Sequence, residues 1–101
     1  MARMDVYRAP GGAARGYVVD VQADLLMHLA TRVVVPLVPE AAVRVSAARL
    51  NPIFEVEGQR HVLIAQSIAT VPRRELRGAV ASLRDQHDTI LAAIDFMLSG
   101  F

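Results

Sequence analysis

The spacing of the apolar residues changes near Leu83, and this change limits the fold more than any other feature. In the C-terminal segment, residues that would share one helix face recur every three or four positions. They are Leu83, His87, Ile90, Leu91, Ile94, Met97 and Leu98. This spacing predicts an amphipathic α-helix. Ser82 and Asp85 resemble a capping box at its start, with Asp in place of Glu. Gly100 stands where a C-cap glycine belongs.

The segments before this helix are typical of β-strands. Three of them are rich in β-branched and aromatic residues: 4–9, 17–22 and 31–37. Residues 31–37 form an apolar run, which predicts a strand covered on both faces. Residues 53–57 alternate in character and residues 61–65 return after a Gly58-Gln59 turn, which predicts a β-hairpin.

Two further positions bear on the sheet. Pro36 places the end of its strand at an edge or an exit of the sheet. Residues 40–50 could form a short helix, but the β-branched Val43 and Val45 leave that assignment open. With strands first and a helix last, the chain is expected to have an α+β fold with an antiparallel sheet, in a single domain spanning residues 1–101.

The composition narrows the functional classes. The hydrophobic fraction is 53% in 101 residues, above the usual ~45–50%, so we expect excess apolar surface that self-association would bury. The net charge of +1 gives no electrostatic footprint for nucleic acid, and Arg73, Arg74 and Arg77 are interpreted as a solvated face. Because cysteine is absent, disulfides and thiolate zinc sites are excluded. No signal peptide and no membrane-spanning run is recognisable, so we expect a soluble cytoplasmic protein without membrane contact.

The sequence predicts no catalytic residue, no metal site and no cofactor. His28, His61 and His87 lack metal-ligand spacing, and His87 on the apolar helix face is interpreted as packed or interfacial rather than as a ligand. Asp85 and Asp88 follow the predicted helix start, where they complement its dipole. No phosphate-binding glycine loop or nucleophile elbow is present.

The order and spacing of four stretches resemble the CcdB family, the gyrase-poisoning toxins of bacterial toxin–antitoxin modules. The stretches are Val6-Tyr7 followed by residues 19–26 (VDVQADLL), residues 32–37 (RVVVPL), residues 69–72 (ATVP), and residues 80–83 (VASL) running into Ile90, Ala93, Ile94, Met97 and Gly100. No single stretch is diagnostic, so the resemblance depends on their common order over nearly the whole chain.

This resemblance implies a fold, a set of partners and a site. The fold would be a small antiparallel sheet, an SH3-like barrel of the CcdB and MazF type, with a minor sheet and a C-terminal helix. The toxin would be a homodimer that binds the DNA gyrase A subunit and traps the cleaved-DNA complex, without being an enzyme and without sequence-specific binding of nucleic acid. A cognate antitoxin with a disordered, acidic C-terminal segment would neutralise it. The residues implied in gyrase binding are Leu25, Leu26, Asp95, Leu98, Ser99, Gly100 and Phe101.

The chain departs from the family pattern at its end. The family pattern ends in Trp-Gly-Ile, whereas this chain ends in Ser99-Gly100-Phe101, so the aromatic ring that stacks on gyrase is missing. A buried interface tryptophan often contributes about 2 kcal/mol or more, so two copies in a dimer would lose roughly 4 kcal/mol. Asp95 stands where the family usually has Asn, and an acid near a helix C-terminus suggests a positive group nearby. We therefore predict weak gyrase poisoning unless the gyrase of the host has changed to match.

Two other functions stay open. Ser99 favours a CcdB-type protein that binds its antitoxin but poisons gyrase weakly or not at all. An RNA-cleaving toxin on the shared fold would need a base, an acid and a basic groove, which the near-neutral charge and the scattered histidines do not favour. Incubation with labelled RNA separates this last function from the other two.

Overall fold

A computed structural model describes residues 2–11, 16–44 and 47–100. The strands are β1 (Asp5–Arg8), β2 (Tyr17–Asp20), β3 (Thr31–Pro39), β4 (Ile53–Val56), β5 (Gln59–Leu63), β6 (Ala69–Pro72) and β7 (Ala81–Ser82). One α-helix follows, α1 (His87–Ser99). The predicted α+β class is confirmed, with the helix after the strands.

The long strand β3 organises the sheet, because three other strands pair with it. Along one edge β3 pairs with β2 through residues 34–37. Along the other edge it pairs first with β6, through residues 31–34, and then with β5, through residues 37–39. The full order is β4-β5-β3-β2-β1-β7 with β6 beside β3, and all described pairings are antiparallel. The sheet forms a nearly closed barrel, as the resemblance implied.

Pro36 lies inside β3 rather than at its end, so the prediction of a strand exit was wrong. The strand continues to Pro39. The carbonyl of Pro36 accepts a hydrogen bond from the N–H of Ile64 at 2.9 Å. The N–H and C=O of one strand residue face the same edge, and on that edge Pro36 lies between the end of β6 pairing and the start of β5 pairing. The missing N–H therefore breaks no ladder bond at this position.

The predicted β4–β5 hairpin is present, but its turn lies one residue earlier than expected. Val56 pairs with Gln59, so the turn residues are Glu57 and Gly58. Their φ angles are +50° and +82°, and two positive values in a row are typical of the type I′ turn, which matches the twist of a two-residue hairpin.

The sheet buries apolar side chains on both faces. The larger cluster packs α1 on the sheet and includes Val19, Val35, Leu37, Ile90 and Ala93. The smaller cluster, on the opposite face, contains Tyr7, Val18, Val34 and Leu76. Successive residues of β2 and β3 therefore belong to different clusters, one on each face of the sheet. This confirms the prediction that residues 31–37 are covered on both faces.

The helix begins later than its apolar spacing predicted. Residues 84–86 form a 3-10 turn, and α1 begins at His87. Ser82 belongs to β7 and pairs with Asp5, and no side chain caps α1, so the capping box was wrong. Gly100 is confirmed as the C-cap, with a φ of +77° and an N–H that donates back to the last turn at 2.8 Å. Within the described part of the chain, no helix combines the length and the apolar character needed to cross a membrane.

One ion pair is fully enclosed in the sheet. The carboxylate of Asp20, at the end of β2, and the guanidinium of Arg32, in β3, are both 0% exposed. Arg32 Nε donates to Asp20 Oδ2 at 2.8 Å, and Nη2 lies 2.8 Å from the same oxygen. Burial raises the pKa of the Asp20 carboxyl, while Arg32 and the N–H of Gln22 counter part of that rise. Each charge therefore depends on the other for compensation.

We expect Arg32→Met to lower the free energy of unfolding by about 3–5 kcal/mol, because it leaves the Asp20 carboxyl buried without its counter-charge. Urea unfolding at neutral pH measures this loss. Asp20→Leu/Arg32→Met is the matched control, since it removes both charges and keeps apolar volume, and it should recover most of the stability. A double variant no more stable than the single one would contradict mutual compensation.

Candidate protein-interaction site

The exposed large apolar side chains of the described residues fall on two short segments. They are Leu25 (87% exposed), Leu26 (43%), Met27 (43%), Leu29 (41%) and Leu98 (72%). We name residues 24–30, which connect β2 to β3, the apolar turn, and residues 95–100 the helix end. A single exposed leucine is ordinary, but a group of apolar side chains on one connection is typical of a protein contact.

Hydrogen bonds to its backbone hold the apolar turn in place. Gln22 Nε2 donates to the carbonyl of Leu26 at 2.8 Å. Arg73 Nη1 donates to the carbonyl of Met27 at 2.9 Å. Because these carbonyl groups are bonded to the rest of the protein, the apolar side chains are presented on a fixed backbone although they are not buried. Less conformational freedom is then lost when a partner covers them.

The buried Asp20–Arg32 pair closes the base of the apolar turn. The N–H of Gln22 donates to Asp20 Oδ1 at 3.1 Å, and the N–H of Val33 donates to Gln22 Oε1 at 3.0 Å. Gln22 therefore bonds to both strands that flank the turn as well as to the turn itself. The VDVQ stretch of the sequence has a structural role, which is to support the exposed leucines that follow it.

Leu25 and Leu26 were predicted as contact residues from the sequence, whereas Met27 and Leu29 were not. Both missed side chains are exposed beside the identified pair. No clear signal in the sequence marks them, because a short apolar run such as residues 25–30 (LLMHLA) is also consistent with a buried strand. In the structure these residues instead form surface on the connection between β2 and β3.

The helix end exposes Asp95, Leu98, Ser99 and Gly100. Ser99 Oγ donates to the backbone carbonyl of Asp95 at 2.6 Å, so the hydroxyl is turned back onto the helix. The carboxylate of Asp95 forms no ion pair among residues 2–11, 16–44 and 47–100. A positive group does lie close to the helix end, because Arg49 Cζ lies 4.5 Å from the ring centroid of Phe96, the next residue. Phe101, the last residue implied in gyrase binding, lies outside the described residues.

The contacts of the apolar turn lead to the start of α1 rather than to its end. The N–H of Arg3 donates to Asp24 Oδ1 at 2.7 Å, and Arg3 Nη1 lies 3.3 Å from Nε2 of His87. Leu98 follows His87 by eleven residues, which is about 16 Å along the helix axis at 1.5 Å per residue. These hydrogen bonds therefore connect the apolar turn to the first turn of α1, and Leu98 lies about three turns further along the helix.

The histidines are not arranged as a joint site. His61 is 3% exposed and packs edge-on against Tyr17, with ring centroids 5.0 Å apart. Nδ1 of His87 lies 3.2 Å from the carboxylate of Asp88 at the surface. In the part of the chain that the structure describes, no three side chains of the metal-binding types gather.

Comparison with protein families gives one match. The model described as "CcdB protein" matches residues 3–100. The matched region contains the whole apolar turn and the whole helix end. A comparison with curated proteins finds no match.

Comparison with solved structures gives confident likeness over almost the full chain. A structure described as "Endoribonuclease in complex with its cognate antitoxin from Mycobacterial species" has a TM-score of 0.79 and 20% identity, covering 97% of this chain and 94% of that one. The structure described as "Mycobacterium tuberculosis toxin MazF-mt6" has a TM-score of 0.74 and 18% identity, covering 93% and 95%. At such identities the likeness shows a shared fold, and a fold alone does not determine function.

We expect Leu25→Ser and Leu98→Ser each to change the free energy of unfolding by no more than about 0.5 kcal/mol, because most of each side chain is already in water. Ile94→Ala, on the same helix but in the core, is the matched control and should lose about 2–5 kcal/mol. Urea unfolding of the three variants tests this. A large loss at either exposed leucine would place that segment in the core rather than on a contact surface.

Proposed function

The chain belongs to the CcdB family of toxins from toxin–antitoxin modules, and on that premise we propose that it is a bacterial gyrase poison. In this proposal the protein acts in the cytoplasm as a homodimer, binds the DNA gyrase A subunit and traps the complex in which DNA is cleaved. A cognate antitoxin holds it inactive. The protein itself catalyses no reaction and uses no metal or cofactor.

The placement of exposed apolar surface carries this proposal. All the exposed large apolar side chains of the described residues lie in the apolar turn or at the helix end. These are the two segments that the family resemblance implies in gyrase binding. The exposure of these side chains comes from the packing of the structure, whereas the family resemblance comes from the sequence. Two independent properties therefore point to the same two segments. Such a patch is stabilised when a partner removes it from water.

A homodimer would present each contact segment twice. Two-fold symmetry places identical patches on both protomers, which suits a target that is itself a dimer, as the A subunits of gyrase are expected to be. The hydrophobic fraction of 53% supports self-association of a chain this small. One protomer offers two separate contact points, and the dimer would offer both to the two halves of the target.

The geometry of Ser99 favours weak poisoning, and with it the second candidate function. The Ser99 side chain is short and its hydroxyl bonds to the Asp95 carbonyl, so it offers no surface on which a cation can stack. A cation–π contact is worth about 0.5–2 kcal/mol, and an exposed ion pair from Asp95 would return only about 0–1 kcal/mol. The second candidate is therefore a protein that keeps the fold and the antitoxin but poisons gyrase weakly or not at all.

An RNA-cleaving toxin is the third candidate, because one of the structural neighbours is described as an endoribonuclease. That likeness extends to the fold. His61 is enclosed beside Tyr17 and is not accessible as a general base, and the near-neutral charge provides little attraction for a polyanion. We therefore propose the non-enzymatic function and retain labelled RNA as the direct test.

We expect Ser99→Trp to increase gyrase-dependent DNA cleavage by about tenfold or more, because it restores an aromatic contact of hot-spot size. Ser99 is exposed, so the larger side chain displaces no core residue. The assay mixes purified protein with gyrase from its own host, supercoiled plasmid and ATP, and measures linear DNA after treatment with detergent and protease. The native chain should give little linear product.

The controls distinguish the three candidates. Adding Leu25→Ser and Leu26→Ser to the Ser99→Trp chain should remove the product, since both contact segments are needed. Equal product from the native chain would show that Ser99 does not limit poisoning. Absence of product from every variant would contradict gyrase poisoning and leave the antitoxin-binding function. Cleavage of labelled RNA by the native chain would contradict the proposal that it is not an enzyme.

A further inference from the structure

Arg3 joins the start of the apolar turn to the start of α1. Its Nε donates to the carbonyl of Val21 at 2.9 Å, and its backbone N–H donates to Asp24 Oδ1 at 2.7 Å. The far end of the same side chain reaches the helix, where Nη1 lies 3.3 Å from Nε2 of His87. One residue of the N-terminal segment therefore contacts both the connection that carries the exposed leucines and the helix that carries Leu98.

The backbone beside Arg3 is held on both sides, which fixes the position from which its side chain extends. The N–H of Met4 donates to the carbonyl of Asp20 in β2 at 2.6 Å, and the carbonyl of Met4 accepts from the N–H of Leu83 at 2.8 Å. Met4 is buried and has a φ of +70°, a conformation that residues other than glycine rarely adopt. Only surrounding contacts maintain such a conformation, and residues strained in this way are found at functional positions.

The contact between Arg3 and His87 requires one protonation state of the imidazole ring. A guanidinium group can only donate hydrogen bonds, so Nε2 of His87 accepts and carries no proton. The ring proton then lies on Nδ1, which is 3.2 Å from the carboxylate of Asp88. A neutral ring protonated at Nδ1 therefore satisfies both contacts at once. A second proton would place an N–H of a cationic ring against the guanidinium of Arg3.

The charged groups that contact the His87 ring come from two elements. Among the described residues, the guanidinium of Arg3 faces Nε2 from the N-terminal segment, and the carboxylate of Asp88 faces Nδ1 from α1. Asp24 in the apolar turn bonds to the N–H of Arg3 rather than to the ring, and residues 84–86 add one exposed arginine and one exposed aspartate. Asp88 favours the protonated ring, but its side chain is fully exposed and therefore screened by water. Protonation strengthens that screened contact and removes the one that joins the helix to the apolar turn.

We propose that Arg3 is a positioning residue for the gyrase contact, and that it holds the apolar turn against α1 only while His87 is neutral. With the contact in place, the turn and the helix keep a fixed separation. Without it, the guanidinium end of Arg3 leaves the helix, and the start of the turn keeps its bonds to the N-terminal segment alone. This inference rests on the proposed function, in which the apolar turn and the helix end bind the same target. Such a target is bound more weakly when the separation fluctuates, because the extra freedom is lost on binding.

The first test uses NMR of the isotope-labelled full chain without gyrase. At about pH 7.5 an ordinary histidine is mostly neutral, and at about pH 5.5 it is mostly protonated, while ordinary carboxylates stay ionised. We expect the ring nitrogen signals of His87 at the higher pH to show the proton on Nδ1. The amides of Leu26 and Met27 donate within the apolar turn. Their hydrogen exchange, relative to an unstructured chain at the same pH, should be about threefold or more faster at the lower pH.

Three variants assign this response to one ring. His87→Gln is neutral at every pH and offers an oxygen that accepts from Arg3, so exchange should stay slow at both pH values. His87→Lys carries a positive charge at both pH values and should show fast exchange at both. His28 is a second histidine, within the apolar turn itself. His28→Gln is therefore the matched control, and it should retain the native response to pH.

The gyrase reaction tests whether this positioning affects the target. In the Ser99→Trp chain at neutral pH, Arg3→Met should raise the protein concentration for half-maximal DNA cleavage about fivefold, with the same maximum at saturation. The contact residues are unchanged, and only their ordering is lost. His87→Lys changes a part-exposed side chain and should have a similar effect, which separates the role of Arg3 from a folding defect. Arg77→Met removes an exposed arginine outside this network and should behave as the Ser99→Trp chain does.

The proposal is overturned if the His87 ring carries its proton on Nε2 at neutral pH, or if exchange in the apolar turn does not respond to pH. It is also overturned if His87→Gln keeps the response, if His28→Gln loses it, or if Arg3→Met leaves the half-maximal concentration unchanged. The exchange measurements contain no gyrase, so they are scored separately. No DNA cleavage by the Ser99→Trp chain, together with the expected exchange pattern, contradicts the proposed function alone.

Discussion

The buried contact between Asp20 and Arg32 determines where this small protein can expose apolar surface. It joins the end of β2 to β3, so it closes the connection that carries the apolar turn. Enclosed charges of this kind are tolerated only as a pair, and Gln22 extends the same polar network into the backbone of the turn. Buried polar side chains of the sheet thus hold the exposed leucines of the apolar turn in place. In most proteins polar side chains are exposed and leucines are buried, so a buried polar network beneath exposed leucines points to a functional surface.

The helix end exposes its leucine for a different reason. Ile90, Ile94 and Leu98 follow one another at intervals of four residues and so share one helix face. Their exposed fractions nevertheless rise from 0% to 9% to 72%. The helix is longer than the core that covers its apolar face. It continues to Ser99, with Gly100 as its C-cap, so Leu98 lies beyond the part of the helix that the core covers. Helix length relative to the core, rather than a break in the pattern, produces this second contact point.

The sequence predicted features that depend on neighbouring residues, and it did not predict features that depend on contacts between distant parts of the chain. Periodicity predicted the α+β class, the hairpin and the apolar helix face, because each depends on neighbours within a few residues. Ser82 satisfied the local pattern of a helix cap, yet it pairs with Asp5 at the other end of the chain. Periodicity also placed Leu98 with Ile94, since a repeat does not reveal where the core ends. The gyrase contacts came from the family resemblance, and the additional exposure of Met27 and Leu29 required the structure.

Arg73 holds the apolar turn from the side opposite to Gln22. Its N–H donates to the carbonyl of Ala30 and its Nη1 to the carbonyl of Met27. Arg73 directly follows β6, which pairs with the first half of β3, so the end of the turn is attached to a different strand from its beginning. A partner that covers the leucines therefore meets a backbone held at both ends, and little conformational freedom is left for it to lose.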